Sequence, residues 1–300
     1  MSASNNPLVS IIVNCYNGEK YLSETLDSIL DQTYKNWEII FWDNKSTDSS
    51  AEIFKSYKDI RFKYFHSNEH TSLGKARNFA TEKSKGDFIC FLDSDDLWSK
   101  EKLMLQMSYF INSEVGVVFS NYWILKKNKK KKLFTHKKLP RGNIYNDLIK
   151  NYNIGILSAV IRKKFYLRLE KKFDERFSML EDFDIFMRLS KLCVFESIQK
   201  PLGLYRLHGG NLSTTMKEKE IEEYELWLKE NETFMSPFDV KNMKKNINNR
   251  KFVNLKIDGD YKECIKILFN SKINIFSIKN LFIFFTPIII LRRFLWYHLD

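Results

Sequence analysis

The sequence predicts an α/β fold: a mostly parallel, mixed sheet flanked by helices, followed by a C-terminal helical extension. Three observations carry this. Short apolar runs alternate with amphipathic stretches through the first part of the chain. Polar residues punctuate the C-terminal ends of three of those runs. After Gly210 the character changes to charged, helix-like text.

Each element has its own signal. Leu8–Asn14 is an unbroken apolar run of the kind a strand shows when both its faces are buried. The next stretch places Tyr21, Leu22, Thr25, Leu26, Ile29 and Leu30 on one helical face. Trp37–Asp43 reads as a second strand, and Ser49 with Glu52 forms an S-x-x-E capping box that predicts a helix from about Ser49. Arg61–His66 is a third strand, Gly74–Lys83 a helix and Asp87–Leu92 a fourth strand. Ser99–Asn112 reads as helix and Val115–Ser120 as strand. Strand–helix alternation of this kind builds a parallel sheet with helices on both faces.

Composition bounds the function. The 300 residues are 44% apolar and 29% charged, enough for a large core. No internal repeat is visible, and the N-terminus has no basic region or cleavage-site pattern of a signal peptide. Cys15, Cys90, Cys193 and Cys264 lie far apart without a C-x-x-C pair, which argues against a disulfide framework or structural zinc and for a reducing cytosol. Net charge is +12, but eight lysines and no acid lie between Leu125 and Pro140, so the remainder is only mildly basic. A global nucleic-acid-binding surface is not implied.

Asn14, Cys15 and Tyr16 follow the first strand, Asp43 ends the second and Asp93 follows the fourth. In an open parallel sheet these ends share one edge, where ligands bind. The segment FICFLDSDDLW crowds Asp93, Asp95 and Asp96 into four positions. Capping of the helix near Ser99 would use one of them. Three repel one another unless a cation is present, and Mg²⁺ or Mn²⁺ takes one or two carboxylates together with substrate phosphates. A metal–phosphate site is therefore the sharper reading.

These residues carry a resemblance. VSIIVNCYNGEKYLSETLDSILDQTYKNWEIIFWDNKSTD and LGKARNFATEKSKGDFICFLDSDDLW resemble the nucleotide-sugar domain of family-2 glycosyltransferases, which have the GT-A fold with a D-x-D metal motif. MLEDFDIFMRLS resembles that family's E-D segment, and YRLHGGNLS the stretch closing its catalytic domain. The resemblance runs from about Leu8 to Ser213, and implies a catalytic domain over residues 1–213 with a helical region over 214–300. It implies that Asn14, Tyr16 and Asp43 contact the nucleoside, Asp43 accepting from a uracil-like base, and that Arg77 approaches the nucleotide-sugar. Asp93 and Asp95 are then the D-x-D, Asp95 the direct metal ligand and Asp93 nearer the ribose and sugar. His208 is a further metal or diphosphate contact, and Asp182 the general base of an inverting displacement. Burial beside Phe183 and Glu181 would raise the pKa of Asp182.

Two departures stand out. Asn44 and Lys45 occupy WDNKS where a second Asp and a Gly are commoner, so the loop loses a glycine's freedom. No Q-x-x-R-W motif and no array of apolar spans is present, which points to single sugar addition.

Plainer readings stand beside these. Trp42 reads as a core aromatic; Arg77 can pair with Glu82; Asp182 and Asp184 can cap their helix; His208 can be structural. Asp96 suits a metal's outer partner or a helix cap equally. The lysine tract is a solvated hairpin tip or a contact for anionic lipid headgroups. Leu281–Leu291 is too short for a membrane span and reads as an interfacial or core-packing helix.

Together these imply a metal-dependent transferase using a nucleoside-diphosphate sugar, UDP-sugar favoured, with a saccharide or lipid-linked acceptor. Its expected place is the cytoplasm, peripheral on the inner face of the membrane, without nucleic acid as a partner. A sugar nucleotidyltransferase would open with a glycine-rich loop, and NCYNGEK has one glycine. A phosphatase-like hydrolase would carry its Asp pair at the first strand. A basic binding module would interleave aromatics with its lysines.

Overall fold

The computed structural model describes residues 6–126, 131–270 and 281–287. Positions 127–130 of the lysine tract, and 288–300 of the apolar terminus, lie outside them. The chain divides into two compact units, Met1–Leu148 with Tyr152–Leu207, and Ile149–Asn151 with His208–Asp300.

The first unit begins with β1 (Val9–Cys15), α1 (Leu22–Leu30), β2 (Trp37–Asp43), α2 (Ser50–Ser56), β3 (Phe62–His66), α3 (Leu73–Glu82) and β4 (Phe88–Phe91). These four strands run parallel in the order β3-β2-β1-β4. Every residue of β1, β2 and β4 is buried, as their apolar text requires of strands covered on both faces. Leu22, Thr25, Leu26 and Ile29 form the buried face of α1. The Ser49–Glu52 capping box does not form. Instead the Ser50 N–H donates to Asp48 Oδ1 at 3.0 Å, so a nearer carboxylate takes the orphan donor.

There follow β5 (Leu97–Trp98), α4 (Lys102–Met107) with a 3₁₀ turn (Ser108–Ile111), β6 (Val115–Leu125), β7 (Lys131–Leu133) and α5 (Tyr145–Lys150). A second 3₁₀ turn (Ile156–Ser158) leads to β8 (Ala159–Arg162), α6 (Lys163–Leu167), α7 (Glu181–Leu189) and β9 (Val194–Arg206). Strand β8 runs antiparallel between β4 and β6, while β9 pairs parallel with β6 and antiparallel with β5. The sheet is thus mixed: parallel where the βα alternation is strict, antiparallel beyond it. Register shifts near Ser120–Tyr122 bend the β6–β9 pair, as bulges do. Beyond that bend Leu204 and Gly203 pair with Leu97 and Trp98, and Arg206 reaches the turn after β4. Strands β6 and β7 pair antiparallel.

The second unit holds α8 (Leu212–Thr215), α9 (Lys217–Asn231), α10 (Pro237–Asp258), α11 (Tyr261–Asn270) and a short helix over 281–285. Ser236 caps α10 by accepting from the Asp239 N–H at 3.1 Å, Pro237 opens it, and Gly259 ends it at φ +83°. Among the described residues no helix is long and apolar enough to cross a membrane. The four cysteines are free thiols.

One buried cation supports the frame near the acidic turn. Lys102 is fully buried, donates to Gln106 Oε1 at 2.6 Å and lies 4.1 Å from the Trp98 ring centre. Burial pushes its amine down to about 8. Between that value and the ordinary 10.5, the unfolded chain binds a proton that the native one does not. Native stability therefore carries a penalty below pH 8 that is relieved as pH rises to 10.5, by about 3 kcal/mol. Urea unfolding of wild type and Lys102→Met at pH 7 and pH 10 tests this. The wild type should gain on the variant by about 2–3 kcal/mol at the higher pH; a constant difference contradicts it.

Candidate functional site

The C-terminal ends of β1, β2 and β4 stand side by side, because β1 pairs with both neighbours in parallel. Cys15 pairs with Asp43, and the Leu92 N–H donates to the Ile12 carbonyl at 3.0 Å. Asn14, Asp43 and Asp93 therefore share one edge. Asp43 is buried; its Oδ1 accepts from the Ser46 N–H at 2.7 Å and its Oδ2 from the Tyr64 hydroxyl at 2.6 Å. Asn14 is also buried, and its amide nitrogen finds no partner. An unpaired donor beside a cleft is a ready contact for a ligand's acceptor. Tyr16 is 51% exposed and lies against His70 with ring centres 4.1 Å apart. The pair makes an aromatic ledge suited to a base. Trp42 is buried against Phe79, a core aromatic.

Asn44 shapes this corner, not its opening. Buried, it donates to the Thr71 carbonyl at 2.8 Å and accepts from the Thr71 hydroxyl at 3.0 Å. Lys45 sits at φ +70°, the left-handed region that favours glycine. The loop keeps a glycine-like turn and places the strain on a lysine.

The Asp93–Asp96 turn is held by its backbone. The Thr25 hydroxyl on α1 lies 2.9 Å from the carbonyls of both Ser94 and Asp96. Arg206, ending β9, donates from Nε to the Asp95 carbonyl at 2.9 Å and from its own N–H to Asp96 Oδ1 at 2.9 Å. Gly18 passes so close that a Cβ there would stand 2.8 Å from Ser94 Oγ and Cys15 Sγ. Neither Asp95 nor Asp96 caps α4, which starts at Lys102 behind Glu101. Asp96 is fully buried, its Oδ2 unpaired, and burial with Asp95 and Asp93 nearby holds its carboxyl well above the usual range. It stitches β9 to the turn.

Arg77 is 1% exposed and does not open onto the cleft. Its Nη2 donates to Asp93 Oδ1 at 2.9 Å and its Nη1 to Glu181 Oε1 at 2.8 Å. Its partners are these acids, and Glu82 is not among them. Glu181 opens α7, and Asp182 follows on the next position. Burial raises the pKa of both acids, the Arg77 charge opposing it. For Asp182 a hydrogen bond from Tyr152 also opposes it. Leu180 occupies the N-cap of α7 without a side-chain cap, and Asp184 pairs with Arg188 at 2.5 Å.

His208 opens the second unit. Its N–H donates to Asn211 Oδ1 at 2.6 Å and its Nδ1 accepts from the Gly210 N–H at 3.2 Å, which shapes the His-Gly-Gly-Asn turn.

The acids on the turn fit a hard divalent ion. Asp93 and Asp95 offer carboxylate oxygens at a partly exposed position. Among the described residues no three His, Cys, Asp or Glu side chains converge as a finished cluster. Mg²⁺ and Mn²⁺ are accommodated by such incomplete sets when a diphosphate and water complete the shell. The sequence placed Thr25, Glu181 and Arg206 within recognised segments but gave no sign of the partners each takes far along the chain.

Comparison with known proteins agrees with this architecture. Residues 10–167 match Glycosyl transferase family 2. A 217-residue alignment, 34% identical and covering 72% of this chain and 83% of the relative, links it to UDP-Glc:alpha-D-GlcNAc-diphosphoundecaprenol beta-1,3-glucosyltransferase WfgD of Escherichia coli. Among solved structures, S. aureus TarS 1–349 in complex with UDP-GlcNAc superposes at TM-score 0.63 with 20% identity, covering 81% of this chain and 72% of that one. The mannosyltransferase PcManGT of Pyrobaculum calidifontis, in complex with GDP-Man and Mn²⁺, superposes at 0.60 with 14% identity, covering 82% and 71%. The chain belongs to glycosyltransferase family 2.

The strained loop at Lys45 gives a direct check. A β-branched side chain tolerates the left-handed region worst, so Lys45→Val should cost about 1–2 kcal/mol, while Lys45→Gly should be neutral or gain about 1 kcal/mol. Thermal midpoints measured side by side decide it; a Val variant at least as stable as the Gly variant contradicts the assignment.

Proposed function

We propose that this family-2 glycosyltransferase moves a single sugar from a nucleoside-diphosphate donor, UDP-sugar in preference, to a lipid-linked saccharide in cell-surface glycan synthesis. The transfer is metal-dependent and inverts the anomeric centre. One observation carries the reading: a single buried guanidinium ties Asp93 of the D-x-D turn to Glu181 of the E-D segment, one position before the candidate base.

The division of labour follows from the side chains. Tyr16 and His70 supply a face for the base, with Asp43 and the unpaired Asn14 amide at its polar edge. Asp95, with Asp93, would hold the divalent ion, and His208 would be a further contact of the ion or diphosphate. When bound, the ion supplies Lewis-acid stabilisation of the departing nucleoside diphosphate. Asp182 removes the proton of the acceptor hydroxyl as that oxygen bonds to the anomeric carbon and the carbon–phosphate-oxygen bond breaks. A pKa above the ordinary aspartate value suits a base near neutrality.

The acceptor's lipid tail implies work at a membrane surface. The named substrate of WfgD is a diphosphoundecaprenol-linked sugar. In this chain two features support peripheral attachment: the lysine-rich β6–β7 hairpin, and the exposed Phe282 and Phe285 on the short helix of the second unit.

Turnover of UDP-, GDP- and dTDP-sugars with Mg²⁺ or Mn²⁺ tests the function. Asp182→Asn and Asp95→Ala should each lower kcat by about 10²–10⁴-fold, the range for a lost base or charge stabiliser. Full activity in either refutes its role. Because Asp182 must be ionised, kcat/KM should fall with decreasing pH along a limb above the ordinary aspartate value of about 4, and Asp182→Asn should abolish that limb. Sedimentation with phosphatidylglycerol vesicles should capture the full chain at low salt and release it as salt rises; no capture at low salt refutes the attachment.

A further inference from the structure

We infer that Arg77 is a positioning residue, a strut that sets the base-bearing helix against the D-x-D turn, with Glu181 as its anchor. The inference rests on Asp182 being the base. An arginine meant for a diphosphate must show its guanidinium to the cleft, yet this one is 1% exposed and two of its nitrogens are engaged. The two acids it holds come from separate elements. Asp93 follows β4, while Glu181 is the first residue of α7 and lies 104 positions from Arg77 in sequence.

The first residue of a helix determines where its next ones stand. Leu180 gives α7 no side-chain cap, and the Glu181 pairing is a buried side-chain tie from that end to α3. Asp182 is carried on the next position, so the Arg77 tie contributes to its place relative to the donor's anomeric carbon. The guanidinium rests near Phe91 and Phe173, with its carbon 5.9 and 5.7 Å from their ring centres. Asn78 on α3 adds a second tie across the same gap, donating to the Phe173 carbonyl at 3.0 Å. Strut and packing together align the elements that the two motifs ride on.

A strut and a phosphate ligand fail differently. Full-length wild type, Arg77→Met, Glu181→Gln and the double variant are compared, with melting curves as the check on folding. Calorimetry with UDP, GDP and dTDP plus Mn²⁺ reads donor-side binding, and steady-state kinetics with the turned-over sugar reads kcat. Hydrogen exchange at the first turn of α7 reads the helix directly. The strut predicts nucleotide affinity within threefold of wild type, kcat lower by about 100-fold in each single variant, and a double variant no worse than either. Exchange at the start of α7 should quicken in both.

Nucleotide affinity weakened tenfold or more in Arg77→Met, with kcat unchanged in Glu181→Gln, overturns the proposal. If Arg77→Met does not fold, Glu181→Gln decides alone: wild-type kcat and exchange overturn it. A wild type that turns over no donor sinks the transferase reading of Asp182, and the exchange measurement still decides the strut.

Discussion

One guanidinium shared between two carboxylates sets the terms for this site. Asp93 and Glu181 approach the same buried Arg77, with Asp95, Asp96 and Asp182 adjacent to them in sequence. Burial drives the carboxyls of Asp96, Glu181 and Asp182 toward neutrality. Arg77 offsets that locally and fixes direction as well, because its planar fork admits partners only along set lines. Removing one member of such a buried set leaves the others uncompensated, which is why these pairs are costly to break even where forming them gains little.

Around that bridge, the acidic turn is held largely through its backbone. Thr25 from α1 and Arg206 from β9 grip carbonyl oxygens, and Asp96 turns inward to accept the Arg206 N–H. The bend in β6 and β9 makes this possible, since it carries β9 past the central strands to the turn. The antiparallel half of the sheet thus serves the parallel half: it braces the loop that the parallel strands present.

Much of this was legible from the residues. The apolar runs of β1, β2 and β4, and the polar residues ending them, placed Asn14, Asp43 and Asp93 at one edge of the sheet because strand direction follows from the βα alternation. What the text could not show is partnership at long range. Arg77 lies in a segment that reads as a phosphate contact, and only folding reveals that Glu181, far along the chain, takes its second arm. Asp96 read equally as cap or outer metal partner, and it is a stitch to β9. Lys45 lacks a glycine's freedom, yet it adopts φ +70°, because Asn44 before it is bonded to Thr71 and the Ser46 N–H after it to Asp43. Local propensity yields where surrounding hydrogen bonds over-determine the backbone.

The proposed reaction is a single displacement, with one base and one departing nucleoside diphosphate. That chemistry has a stereochemical signature independent of which sugar or acceptor is used. Proton NMR of the product formed from an α-linked sugar nucleotide, recorded before mutarotation or further turnover, should show the new linkage as β. A product that keeps the α configuration would contradict the account, because retention requires a second displacement or a front-face path that Asp182 as base does not supply.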